Sequence, residues 1–204
     1  MHPALQRNLF LVKEHVGMFK AANNYDVFDP ESGSEILHCR EDRLGLFAKM
    51  FRFTRYKRMT PFHVEIRTPD GESVLSVRRG ISIFPSQVYV YNENEILVGG
   101  FRQKLFSIGS GPERRVFHGG FNVMGADDQV LCTLKGKWTG WDFRFMTGDR
   151  ELGHVSKKWA GFGKEMFTSA DNYILQISDD VPSDNPVRIL IMAAVMCIDM
   201  VLKE

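Results

Sequence analysis

Pro186-Val-Arg-Ile-Leu-Ile-Met-Ala-Ala-Val-Met-Cys-Ile-Asp-Met-Val-Leu-Lys203 is apolar on every side. A helix that is hydrophobic all round belongs either in a protein interior or in a bilayer. At about 1.5 Å per residue this run makes a rod of roughly 27 Å. A bilayer core needs about 20 predominantly apolar residues. Arg188 in the first turn and Asp199 in the last shorten the uninterrupted part further. A charged Asp inside a membrane span costs on the order of 2.5–3.5 kcal/mol on insertion scales. Asp199 also falls near the helix C-terminus, where the macrodipole disfavours an anion. A protein interior supplies a partner for it more readily than lipid does. Ser183, Asp184 or Asn185 can cap the start, and Pro186 fits the first helical position. The run is read as a buried core helix, and Asp199 is expected to have a buried partner.

Upstream, the chain is a succession of short alternating runs broken by turn residues. Tyr25-Asp-Val-Phe-Asp leads through Pro30-Glu-Ser-Gly33 to Glu35-Ile-Leu-His-Cys39. Phe62–Arg67 leads through Pro69-Asp-Gly71 to Ser73–Arg78, and Val88–Tyr91 leads through Asn92-Glu-Asn94 to Ile96–Val98. Phe121–Met124 and Val130–Leu134 flank Gly125-Ala-Asp-Asp128, and Phe143–Met146 and Leu152–Val155 flank Gly148-Asp149. A period-two run, a Gly/Asp/Asn turn and a second period-two run form a hairpin signature. Its recurrence is a loose internal repeat without a solenoid's strict period. Many short strands in one domain form a sandwich or close into a barrel, and closure removes unpaired edges. A large barrel has room inside, and the all-apolar helix is the natural occupant. Burying about fourteen apolar side chains contributes roughly 20–40 kcal/mol before entropy is subtracted. The expected fold is mainly β: a closed antiparallel barrel of about twelve strands around a central hydrophobic C-terminal helix.

Composition fits one packed domain over residues 1–204. Sixteen Phe and 44% hydrophobic residues argue against disorder. Lys plus Arg is 26 against 25 for Asp plus Glu, so global charge does not point to nucleic acid. Cys39, Cys132 and Cys197 form no CxxC pair and no disulfide framework, which suits a reducing compartment. The N-terminus shows no signal-peptide apolar core. A cytoplasmic protein, peripheral to membranes at most, is expected.

Lys164-Glu-Met-Phe-Thr-Ser-Ala-Asp-Asn-Tyr-Ile-Leu-Gln-Ile177, followed by the apolar run with Cys-Ile-Asp-Met-Val201, resembles the phospholipid scramblase family. That family carries Phe-Thr-Asp-Ala-Asp-Asn-Phe before a C-terminal apolar helix with an Asp near its end. Gly161 and Lys164-Glu165 fall where the family places a Gly and a Lys-Glu pair. The wider group includes LURP-one-related proteins and the tubby C-terminal domain. The resemblance implies a tubby-like fold, a twelve-stranded barrel wrapped around the C-terminal helix. Members from animal cells add a Pro-rich arm and a palmitoylated cysteine cluster; this sequence resembles the short, domain-only members. Without a lipid anchor, stable membrane attachment needs another signal.

The resemblance also implies calcium, the one cofactor it brings. The family's calcium segment begins at the first Asp of Asp-Ala-Asp-Asn, where this sequence has Ser169. Asp171, Asp179 and Asp180 fall at ligand positions. Between them Tyr173, Leu175 and Ile177 alternate with Ile174 and Gln176, which is a strand pattern, and a strand does not wrap around an ion as a calcium loop does. The plainer reading is a strand flanked by solvated acids.

Residues 43–60 hold six basic residues and no acid. Leu44, Phe47, Ala48 and Phe51 fall at helical spacing, with Lys49 and Arg52 on the other side. Lys49, Arg52, Arg55, Lys57 and Arg58 are the candidate contacts for anionic phospholipid, since a short basic amphipathic helix suits such a surface. The competing reading is a solvated connection whose aromatics cap one barrel end. Arg78-Arg79 and Arg114-Arg115 extend the patch or are ordinary surface charge. Stacking of bases on Phe51, Phe53 and Tyr56 is a weaker use of the same stretch. Catalytic signatures are missing: the six histidines form no zinc pattern, and no GxSxG elbow appears. Cys132 shares an alternating face with Val130 and Leu134 and reads as a buried, inert thiol. A non-enzymatic module that binds anionic phospholipid or serves as an interaction scaffold is the leading expectation. The alternatives are a calcium-dependent scramblase that inserts residues 187–202, and a small-ligand barrel or enzyme.

Overall fold

The computed structural model describes residues 1–14, 24–41, 61–80, 87–103, 120–137, 142–157 and 172–202. After a short 3-10 turn at Pro3–Gln6 come twelve strands: β1 (Leu9–Glu14), β2 (Tyr25–Phe28), β3 (Glu35–Glu41), β4 (Phe62–Arg67), β5 (Ser73–Arg79) and β6 (Gln87–Asn92), then β7 (Leu97–Gln103), β8 (Phe121–Gly125), β9 (Val130–Lys137), β10 (Asp142–Thr147), β11 (Arg150–Ser156) and β12 (Asn172–Ile177). One helix, α1 (Val187–Leu202), ends the described chain. Each strand pairs antiparallel with its sequence neighbours, and β1 pairs with β12, so the sheet closes into a barrel. The expected fold class is the observed one. Closure leaves no open edge for another chain to join.

Alternation sends one set of side chains inward. Phe10 stands opposite Leu175, Val12 opposite Tyr173, Val64 opposite Val77 and Phe143 opposite Val155, and all are buried. The lumen they line is filled by α1. Every residue from Val187 to Met196 is 5% exposed or less. The helix touches β12 on one side and β5, β6 and β7 on the other. In a twelve-membered ring β6 stands opposite β12, so a helix touching both runs through the barrel. The all-round apolarity of Val187–Met196 thus has an internal cause: these residues are buried inside the barrel, between β12 and the β5–β7 wall.

All five hairpins share a device that alternation alone does not reveal. In each, the second strand carries one extra residue: Ile36, Val74, Val98, Leu131 and Leu152. A bulge of this kind adds local twist and re-aims the residues beyond it. Each hairpin also holds one positive-φ residue at its turn, namely Gly33, Gly71, Glu95, Asp128 or Gly148. The bulge corrects one expectation. Cys132 faces inward opposite Val123, but Val130 lies across the extra Leu131, opposite Met124, and is 52% exposed. Cys132 itself is buried, and burial pushes its thiol up to about 12. Burial pushes Cys39 up as well. Both are poor nucleophiles, because the thiolate is the reactive form.

Strand β7 contains Gly99-Gly100, where the backbones of both neighbouring strands come close. A Cβ on Gly100 would lie 2.0 Å from the Val88 carbonyl oxygen, and one on Gly99 would lie 2.0 Å from that of Met124. Neighbouring backbones on both sides therefore need glycine. Gly100→Ala is expected to destabilise the domain by about 1–3 kcal/mol, the range for overpacking a close contact. The shift of the urea midpoint at constant slope measures it.

Candidate functional site

The twelve strands divide the barrel into two ends. The five tight turns lie at one mouth, together with the start of α1. At the other mouth lie Glu14, Glu41, Arg79, Gln103, Lys137 and Ser156, where the strands leave their hairpins. The helix runs from the first mouth toward the second.

The best-defined polar cluster sits at the tight-turn mouth, around Arg188. Asn185 accepts from the Val187 N–H at 3.0 Å and caps α1. Pro186 follows the cap, and Arg188 comes in the first turn. The Arg188 side chain is 1% exposed. It donates to the carbonyls of Leu5 at 3.1 Å and Val181 at 3.0 Å, to the Arg7 carbonyl, and to Asn8 Oδ1 at 2.7 Å. Burial lowers its pKa, yet a guanidinium stays protonated in proteins. A buried charge is tolerated only when it is fully hydrogen-bonded, and the planar fork of an arginine suits four acceptors spread around it. Asn8 passes the contact on, donating from Nδ2 to Asp179 at 2.6 Å. Asn8 also accepts from the Ile177 N–H through its carbonyl at 2.8 Å. The result is a knot tying the N-terminal segment, the end of β12 and the start of the helix. Leu5 is buried beside it and belongs to the core.

The acids expected to meet calcium fall in and around this knot. Asp179 and Asp180 are exposed and follow β12. Asp179 accepts from Asn8, and Asp180 pairs with Arg150, which also donates to the Asp180 carbonyl at 2.9 Å. Residues 172–177 form the strand that alternation suggested. At about 3.3 Å per residue, those six residues place Asp179 and Asp180 roughly 20 Å from the strand's start. Asp171 lies outside the described residues. So do Lys49, Arg52, Arg55, Lys57 and Arg58, and the Asp199 side chain. The strand ends that flank the basic stretch, Glu41 and Phe62, lie at the mouth opposite the Arg188 knot.

Of the two arginine pairs considered for that patch, Arg78 and Arg79 are described. Arg78 donates to His63 at 3.2 Å, pairs with Glu95 and covers the Tyr91 ring. Arg79 is buried over the Phe62 ring, 4.7 Å from its centre. Neither is loose surface charge. Sequence reasoning missed the Arg188 cradle. The available signal was one arginine inside an otherwise apolar helix, first counted only as a break in the run.

A family model described as Scramblase matches residues 7–204. No curated protein matches the chain. Among the described residues, no helix is long and apolar enough to cross a membrane.

Proposed function

We propose a function from one premise: this chain belongs to the scramblase family. Its reading is a tubby-like barrel that meets anionic phospholipid at the membrane surface without inserting its helix. The observation that carries it is the position of residues 187–196 of α1, buried inside the barrel with Arg188 bound at the start. Releasing the helix would empty the barrel and strip a buried guanidinium of its acceptors. A surface contact asks for neither.

The lipid contact is assigned to Lys49, Arg52, Arg55, Lys57 and Arg58. Family membership and the run of six basic residues without an acid support that assignment. Asp179 and Asp180 serve the fold in this reading, one holding Asn8 and the other Arg150. Each basic residue contributes about 1 kcal/mol near an anionic bilayer. Arg55→Ala/Lys57→Ala/Arg58→Ala is therefore expected to weaken binding to phosphatidylserine-containing vesicles by roughly a hundredfold. Vesicle co-sedimentation at fixed salt measures it. Unchanged binding by a folded triple variant contradicts the site.

A further inference from the structure

The outer face of the β2–β3 hairpin gathers three metal-ligating side chains, Asp26, Glu35 and His38. Their donor atoms lie within 4.8 Å of one another. Asp26 and His38 are direct cross-strand partners. Glu35 comes three residues before His38, and in a regular strand that spacing puts two side chains on opposite faces. The extra residue at Ile36 changes this. Phe28 pairs with Glu35 while Asp26 pairs with His38, and Asp26 and Phe28 share a face. The bulge therefore turns Glu35 onto the face of His38, and the two make a 2.8 Å contact.

From this geometry we infer a binding site for a first-row divalent cation, with zinc as its natural probe, held by His38, Asp26 and Glu35. Three donors no farther than 4.8 Å apart share a centre within about 2.8 Å of each, and small side-chain rotations bring them to the roughly 2.0–2.2 Å of zinc contacts. One imidazole with two carboxylates suits zinc or its first-row neighbours better than calcium, whose ligands are oxygens. Three protein ligands leave a further position for water.

Neighbouring cations are held in ways that leave the cluster a role. Arg40 binds Asp26 Oδ1 at 2.6 Å and is itself fixed by the carbonyls of Tyr25 at 2.9 Å and Cys39 at 3.1 Å. It orients the carboxylate as an outer partner of a metal ligand does. Lys13, across from Asp26, points its ammonium at the Phe28 ring, 4.4 Å from the centroid. Arg67, across from His38, is paired with Glu65.

Zinc titration of the purified full chain by calorimetry tests the site, with His38→Ala, Glu35→Gln and His154→Ala as variants. His154 meets Asp142 on another part of the wall at 2.7 Å and serves as the control. One zinc per chain is expected. His38→Ala and Glu35→Gln should each weaken it at least tenfold, while His154→Ala leaves it unchanged. Glu35 is exposed, so its amide variant retains the fold and reports binding alone. Absence of stoichiometric zinc binding, or binding that neither cluster variant weakens, overturns the inference. Displacement of the zinc by millimolar calcium overturns the choice of cation.

Discussion

A chain ending at Asn185 does not fold. The nine apolar residues of Val187–Met196 are buried together with Arg188. Seven of them are large aliphatic or Met side chains, worth about 1.5–3 kcal/mol each on burial, or on the order of 10–20 kcal/mol in all. Domain stability as a whole is about 5–15 kcal/mol, so removing the helix exceeds what the barrel holds in reserve. The inward faces of all twelve strands would then line an empty lumen. The truncated chain is expected to lack a cooperative thermal transition and near-ultraviolet dichroism. A membrane anchor predicts the opposite outcome, a folded soluble barrel released from its tether.

Arg188→Ala is the second large effect. It removes the partner of three carbonyls and one side-chain amide oxygen at a buried site. Leaving buried acceptors unpaired costs about 1–3 kcal/mol per group, and breaking a buried charged network typically costs about 3–5 kcal/mol. A loss of about 3–5 kcal/mol in urea unfolding is the expected result. Arg188→Lys should fall between wild type and alanine, because an ammonium on one stem cannot reach four acceptors arranged for a fork. A lysine variant as stable as wild type would mean that charge alone matters. An alanine variant within about 0.5 kcal/mol of wild type, the range of ordinary surface substitutions, would show that the knot is incidental.

The two predictions rest on features that the sequence exposes unequally. The hairpins were legible because each alternating run meets Gly, Asp or Asn at its turn, and local chemistry fixes such pairings. Phe62–Arg67 and Ser73–Arg79 need no distant information to find each other. The place of α1 was legible too, since an all-round apolar helix with Arg188 and Asp199 fits a protein interior better than lipid. The bulges were not. An extra Leu131 looks like any other residue of an alternating run, and only the pairing of Met124 with Val130 shows that Val130 has turned outward. The same blindness hid the meeting of Glu35 with His38.

Long-range polar contacts were the least legible. Arg188 reaches Leu5 across almost the whole chain, and Asn8 reaches Asp179 over nearly the same span. Nothing local to Asp179 distinguishes an acid that holds an asparagine from one that waits for an ion. The basic stretch is conspicuous in the sequence for a different reason: a run of charge is a local property. Its candidate lipid contacts are named from that charge and from family membership, and the vesicle experiment is what tests them.

The central claim is that the helix is the core of the barrel and stays there when the protein meets a membrane. Hydrogen exchange of the full chain, with and without anionic vesicles, tests it most directly. Amides of residues 187–196 should exchange with the slowest strand amides, through the same global opening, and vesicles should not separate the two. Strands that lose protection on vesicles while the helix keeps its own would contradict the claim, because the helix would then have left the barrel for the bilayer.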